Sequence, residues 1–210
     1  MRTIDGVERR RVLSKAVWSI IRREGFEAAS VRAVAAETGL STGSVRHFFA
    51  TQDELHVFAM EQLIEEMTTR VRVALETSRS KAGNAQAWDA RSTRKGALAV
   101  MLELLPLTKD REELFLAYLQ FIVKATVHPV LRPMTVRLAD ETQQLVEHLV
   151  QSLVDTGAAR HELDVRASAA AMNMLLDGIT LRLLTAPGML SAEEAIELVE
   201  SLLDSWEMPS

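Results

Sequence analysis

Between Thr42 and His47 four side chains, Thr42, Ser44, Arg46 and His47, carry hydrogen-bond donors and fall outward from a short helical pattern. Its inward positions are Val45 and Phe48 or Phe49. An outward row of hydroxyl, guanidinium and imidazole donors can meet phosphate oxygens or the edges of bases. Other chemistries lack their residues. The five histidines, at 47, 56, 128, 148 and 161, include no HExxH and no close pair at ligand spacing, and there is no cysteine, so no metal site is expected. Neither a G-x-x-x-x-G-K or G-x-G-x-x-G phosphate loop nor a G-x-S-x-G elbow occurs. The acid pairs Glu65-Glu66 and Glu112-Glu113 are sequence neighbours, which on a helix diverge by about 100° and cannot converge on one atom. No enzymatic activity and no cofactor are expected.

The elements that must position the donor row can be read on either side of it. Ser30 can cap a helix in which Val31, Val34 and Ala35 share one face. Gly39 then stands where a left-handed residue ends such a helix, with Leu40 as the apolar residue the turn buries. Ser41 or Thr42 can cap the next short helix, to about Phe49, and Thr51 with Glu54 forms a T-x-x-E capping box that starts another at Gln52. Upstream, Val12, Leu13, Ala16, Val17, Ile20 and Ile21 form the buried stripe of a helix from about Glu8 to Glu24, ended by Gly25. Its role is to brace the two short helices, neither of which persists alone at that length. Residues 2–8 read as an arm whose Arg2 could reach a minor groove, and Arg9, Arg10 and Arg11 could flank DNA, although solvated charge is the commoner role of both. Downstream, Leu55, Ala59, Leu63, Met67, Val71 and Leu75 recur every fourth residue, so the helix from Gln52 runs to about Ser78 and spans roughly 40 Å. It is long enough to leave one core and enter a second.

Taken together, the arrangement GF…ASVRAVAAETGLSTGSV…FF…DEL within the first fifty-five residues resembles the DNA-binding domain of TetR-family transcriptional regulators. The resemblance implies a helix-turn-helix whose second helix enters the major groove. Thr42, Ser44, Arg46 and His47 would then be base or near-base contacts, and Ser30, Arg32 and Gln52 would hold the DNA backbone. Two positions depart from the family pattern, since Arg46 stands where Tyr is usual and Gln52 where Lys is usual. Arg46 can supply a phosphate contact or reach a guanine edge, whereas Gln52 keeps a donor at a helix start but loses the charge.

The formal net charge of −5 divides unevenly. Residues 1–50 hold nine Arg or Lys against five Asp or Glu, and residues 51–210 hold 15 against 24. The positive end is the helix-turn-helix end, as a phosphate-seeking reader joined to an acidic body requires. The expected division is therefore a helix-turn-helix domain at 1–50 and a helical ligand-binding and dimerisation domain at 51–210. Residues 79–94, including Trp88, read as one long polar loop. Helical patterns follow at 97–105, 110–126 and from Pro129 or Pro133 to Thr156, broken by Pro106, His128-Pro129 and Gly157. Glu113 three residues after Asp110 resembles a capping box. Asp164 caps a helix apolar at eleven of the sixteen positions 169–184, too short and too polar at Asn173, Asp177 and Arg182 to span a membrane. Ser191 and Glu194 open the last helix, with Ile196, Val199, Leu202, Leu203 and Trp206 inward. No period-two alternation occurs, so the expected fold class is all-α.

The central helices are rich in large apolar groups. The family resemblance implies a cavity among Met101, Leu105, Phe115, Tyr118, Leu119, Ile122, Met134 and Asn173, with Phe121, Met172, Leu175 and His148 nearby. It also implies that the last two long helices build a homodimer interface, here Met172, Leu176, Ile179, Leu183, Val199 and Leu203. The expected protein is a cytoplasmic, homodimeric repressor that binds a palindromic double-stranded DNA operator, is released by a small apolar or amphipathic effector, and has no membrane partner. A second reading is a helical small-molecule binding protein without specific DNA readout.

Overall fold

The computed structural model describes residues 6–81 and 89–207. Residues 2–5 of the expected arm, with Arg2, and residues 82–88 of the expected polar loop, with Trp88, lie outside them; the rest of the arm joins α1, and the loop's flanks join α4 and α5. Among the described residues the secondary structure is helical throughout: α1 Gly6–Glu24, α2 Val31–Thr38, α3 Thr42–Arg46, α4 Gln52–Lys81, α5 Ala90–Glu103, α6 Lys109–Val127, α7 Arg132–Asp155, α8 Val165–Thr185 and α9 Ala192–Asp204, with a 3-10 turn at Phe26–Ala28. The all-α expectation holds.

Two compact units form. The first comprises residues 1–66 with 113–136, and the second 67–112 with 137–210. α4, α6 and α7 each contribute residues to both. By packing, then, the first unit is larger than the N-terminal segment 1–50, because the greater part of α6 and the start of α7 join it.

In the first unit α1 buries Leu13, Ala16, Val17, Ile20 and Ile21 against Phe26, Val34, Ala35, Val45 and Phe49. α4 adds Leu55, Ala59, Met60 and Leu63, and α6 adds Phe121 and Ala125. In the second unit α5, α7, α8 and α9 close one core around Val100, Met101, Val150, Met172 and Val199. Its helix ends are set by local chemistry. Ser191 and Glu194 satisfy one another's backbone donors in a full capping box, and the Asp164 carboxylate accepts from Ala167 N at 3.0 Å. α6 departs from its expected start. Lys109 is its first residue, which places Asp110 inside the first turn rather than at the cap. α5 also begins earlier than expected, because the Asp89 carboxylate accepts from Ser92 N at 2.7 Å and caps it.

Candidate nucleic-acid interface

The donor row stands on a framework of capped turns. The Ser30 hydroxyl oxygen accepts from Ala33 N at 3.2 Å, and Gly39 at φ 67° ends α2 in the left-handed region. A Cβ on Gly39 would meet nothing within 4 Å, so the glycine is required by its dihedral and not by crowding. Leu40 N donates back to Ala35 O at 3.1 Å, closing the turn. Ser41, rather than Thr42, caps α3, accepting from Ser44 N at 3.1 Å.

α3 has one buried residue, Val45, which anchors it; Thr42, Ser44, Arg46 and His47 are all exposed. The Ser41 hydroxyl donates to Ser44 Oγ at 3.2 Å, so the Ser44 hydroxyl proton remains to be donated outward. Phe49 is buried and packs against Phe58 with ring centroids 4.9 Å apart, while Phe48 is half-buried beside His47. The box that follows α3 is a variant. Glu54 N donates to Thr51 Oγ1 at 3.1 Å, but the Glu54 carboxylate reaches past the cap to accept from Ala50 N at 2.7 Å.

Gln52 differs from expectation. Its amide nitrogen donates to Ala29 O at 2.6 Å and lies 3.0 Å from His56 Nε2, so both side-chain hydrogens are directed into the protein. What it can offer a phosphate is its backbone N–H at the start of α4. Ser30 has its acceptor engaged as a cap, and Arg32 is exposed on α2.

A set of residues without a local sequence signature steadies this surface from α6. Gln120 Oε1 accepts from Phe26 N at 2.7 Å and would lie 3.2 Å from a Cβ on Gly25, whose φ is 88°. Lys124 donates to both carboxylate oxygens of Glu27, at 2.7 and 2.8 Å. That contact holds the Glu27 carboxyl below its usual pKa. His56 is fully buried, with its ring 4.8 Å from Phe26. Because Gln52 donates to its Nε2, the ring proton sits on Nδ1, which has no partner among the described residues.

Burial, reinforced by the Lys124 charge, pushes the His56 pKa below its ordinary value of 6.5, against the opposing pull of Glu27, the Ala29 carbonyl and Asp53. The folded protein therefore keeps His56 neutral at pH values where the unfolded chain has protonated it. Stability is lost as pH falls below about 6.5, at no more than about 1.4 kcal/mol per pH unit for one proton. Urea midpoints measured from pH 7 to 5.5 are expected to fall, and the slope to flatten in His56→Gln. An unchanged slope in that variant would assign the effect to another group.

Residues 93–206, more than half of the chain, match the family model of the BetI-type transcriptional repressor C-terminal region, a TetR-type domain. The chain belongs to the TetR family. Among curated relatives it is similar to the HTH-type transcriptional regulator PksA of Bacillus subtilis (strain 168), 46% identical over 69 residues, which are 33% of this chain and 34% of that one. It is similar also to the nicotine-responsive repressor HdnoR of Paenarthrobacter nicotinovorans, 35% identical over 68 residues, 32% of this chain and 35% of that one. Each match thus spans about a third of the relative's length. A putative transcriptional regulator from Saccharomonospora viridis, solved in complex with choline, shares the fold with a TM-score of 0.72 and 19% identity, covering 94% of this chain and 96% of that one.

The residues that the TetR resemblance assigned to ligand divide between the two units. Met101 and Leu105 are fully buried in the second unit's core, and Asn173 donates to Gln143 Oε1 at 2.7 Å while its own Oδ1 is buried without a partner among the described residues. Phe115, Tyr118, Leu119, Ile122 and Met134 belong to the first unit, where the Phe115 and Tyr118 rings meet edge to face at 6.3 Å. A hollow of about 700 Å³ within the second unit is lined by none of these residues.

The residues that the TetR resemblance assigned to a dimer interface lie on α8 and α9. Met172, Leu176, Ile179, Val199 and Leu203 are buried in their own unit, and Leu183 packs half-buried against the same core. The outward apolar groups of α8 and α9 are Met174, Leu181 and Leu198. The sequence marked α8 as apolar all round, but nothing in it said which face was which.

Proposed function

We propose that this TetR-family chain is a ligand-responsive DNA-binding transcriptional regulator and acts as a repressor. The observation that carries the reading is α3 itself, where one buried valine anchors a helix whose Thr42, Ser44 and Arg46, with His47 at its C-cap, are exposed donors. As a homodimer the protein would set one α3 in each of two major-groove half-sites, about 34–36 Å apart or a multiple of that spacing, so its operator would be palindromic. Thr42, Ser44, Arg46 and His47 read or approach bases, while Ser30, Arg32 and the backbone N–H of Gln52 hold phosphates. A small effector in the second unit would oppose DNA binding by a shared coupling energy. α4, α6 and α7, which contribute to both units, are the continuous elements through which that energy could pass. Such a protein works in the cytoplasm and needs no membrane; no described helix is long and apolar enough to cross one.

The test is selection of bound sequences from random double-stranded DNA by the purified full chain at two salt concentrations. An inverted repeat retained at the higher salt is the expected result, and enrichment of nothing by folded, dimeric protein would overturn the reading. With the operator in hand, Arg46→Ala is expected to weaken binding by about 1–3 kcal/mol, roughly 5- to 150-fold, with no change in thermal stability. Unchanged affinity would remove Arg46 from the interface. The alternative, a helical small-molecule binding protein without specific DNA readout, is favoured by one observation only, the inward-turned Gln52 amide.

A further inference from the structure

The second unit belongs to the acidic part of the chain, yet one of its clefts is cationic. The hollow of about 700 Å³ runs between the later turns of α4 and the start of α5 and is lined by Arg70, Arg91 and Lys95. The one carboxylate among its described lining residues, Glu103, is 3.5 Å from Arg111 and lies about 18 Å along α5 from Arg91. Arg91 and Lys95 are one turn apart on the same helix face, where like charges repel. They also occupy the first turns of α5, the end of a helix that disfavours cations. Asp89 lies near enough to Arg91 to feel its charge, but that carboxylate is already engaged as the cap of α5. Among the described residues neither Arg91 nor Lys95 forms an ion pair, unlike Arg94 between them, which is held by Asp204 and Glu207. Arg91 and Lys95, both exposed, thus stand beside this hollow without a protein counter-ion among the described residues.

The remaining lining says what that anion carries. Hydroxyls of Thr77, Ser78 and Ser92 can donate to an anionic head. Val73, 53% exposed, forms with Ala74 and Ala99 an apolar stretch along the same cleft. Gly96 lines both this cleft and a smaller hollow of about 370 Å³, to which Thr93 belongs. Thr93 is only 3% exposed, and its hydroxyl is buried without a protein partner among the described residues, a pairing that solvent or a ligand must supply.

We infer that the effector of this protein is an anionic amphiphile whose carboxylate or phosphate head lies against Arg91 and Lys95 and whose apolar chain follows Val73, Ala74 and Ala99. The inference rests on the reading of the chain as a ligand-responsive regulator, and it assigns that ligand a charge and a place.

Calorimetric titration of the full chain with decanoate, decyl phosphate, decanol and decyltrimethylammonium, each below its micellar range, tests it. At least one of the two anions is expected to bind at one per protomer, the tighter of them identifying the head group, with decanol at least tenfold weaker and the cation without detectable binding. Arg91→Ala with Lys95→Ala should weaken the anion at least tenfold, and Arg91→Lys with Lys95→Arg should restore it, which a loss of fold would not. Equal binding of the neutral or cationic probe, no binding of either anion, or indifference to the double alanine variant would overturn the site. Release of selected DNA by the bound anion is read separately. Failure there, with anion binding intact, would reject the effector role, and failure of DNA binding altogether would reject the regulator reading.

Discussion

Phe121→Ala is expected to destabilise the first unit by about 3–5 kcal/mol and to abolish DNA binding at temperatures where the rest of the chain is folded. Phe121 is fully buried on α6, with its ring edge-on to Phe26 at a centroid distance of 5.4 Å. Phe26 in turn lies against His56 and fills the turn between α1 and α2. Truncation removes a ring from a close-packed stack and leaves a cavity that neither the 3-10 turn nor α4 can easily close. The turn sets the direction in which α2 starts, and α2 carries the Gly39 turn from which α3 is hung. The loss should therefore appear in DNA affinity as well as in the melting curve. Val123→Ala, at a site 61% exposed on the same helix, serves as the control and should stay within about 0.5 kcal/mol of the parent. A Phe121→Ala protein within 1 kcal/mol of the parent would show that α6 rests on the unit without supporting it.

That dependence on α6 is also where sequence reading ran out. Ser30, Gly39, Thr51, Asp164 and Ser191 all act over three or four residues, so their chemistry is written where it operates. The same locality placed Val45 inward and the donor row outward, although the helix expected to reach about Phe49 ends at Arg46. Gln120 and Phe26 are 94 residues apart, and a glutamine in mid-helix has no local mark of a partner elsewhere. The inward turn of Gln52 likewise depends on Ala29 and His56, which periodicity does not bring together. At α5 the signal was present but weak. Asp89 and Ser92 form a cap, yet they sit in a polar stretch that reads as loop, and the cations Arg91 and Lys95 were hidden with it. Only placing α5 beside α4 turns those two charges from solvated decoration into a feature of a cleft.

Met174→Asp combined with Leu181→Asp is expected to convert the proposed dimer into a monomer at micromolar concentration and to lower operator affinity by more than about 100-fold, since two half-sites then have to be bound independently. Met174 is 74% and Leu181 51% exposed, and with Gly178 and Thr185 they fall at i, i+4, i+7 and i+11 along one face of α8. A Cβ on Gly178 would meet nothing within 4 Å in the protomer, so another helix can approach closely there. Leu198, 44% exposed on α9, adds to the apolar surface of the same pair of helices. The companion variant separates this face from the core. Met172→Asp places a carboxylate in a fully buried site two residues from Met174, where it has no partner, and should unfold the second unit rather than merely dissociate it. Sedimentation and far-ultraviolet circular dichroism distinguish the two, because the double variant should keep its helix content while losing mass and the Met172 variant should lose helix content. A double variant that still sediments as a dimer would move the interface off α8, and a well-folded monomer that kept full operator affinity would reject the two-half-site reading.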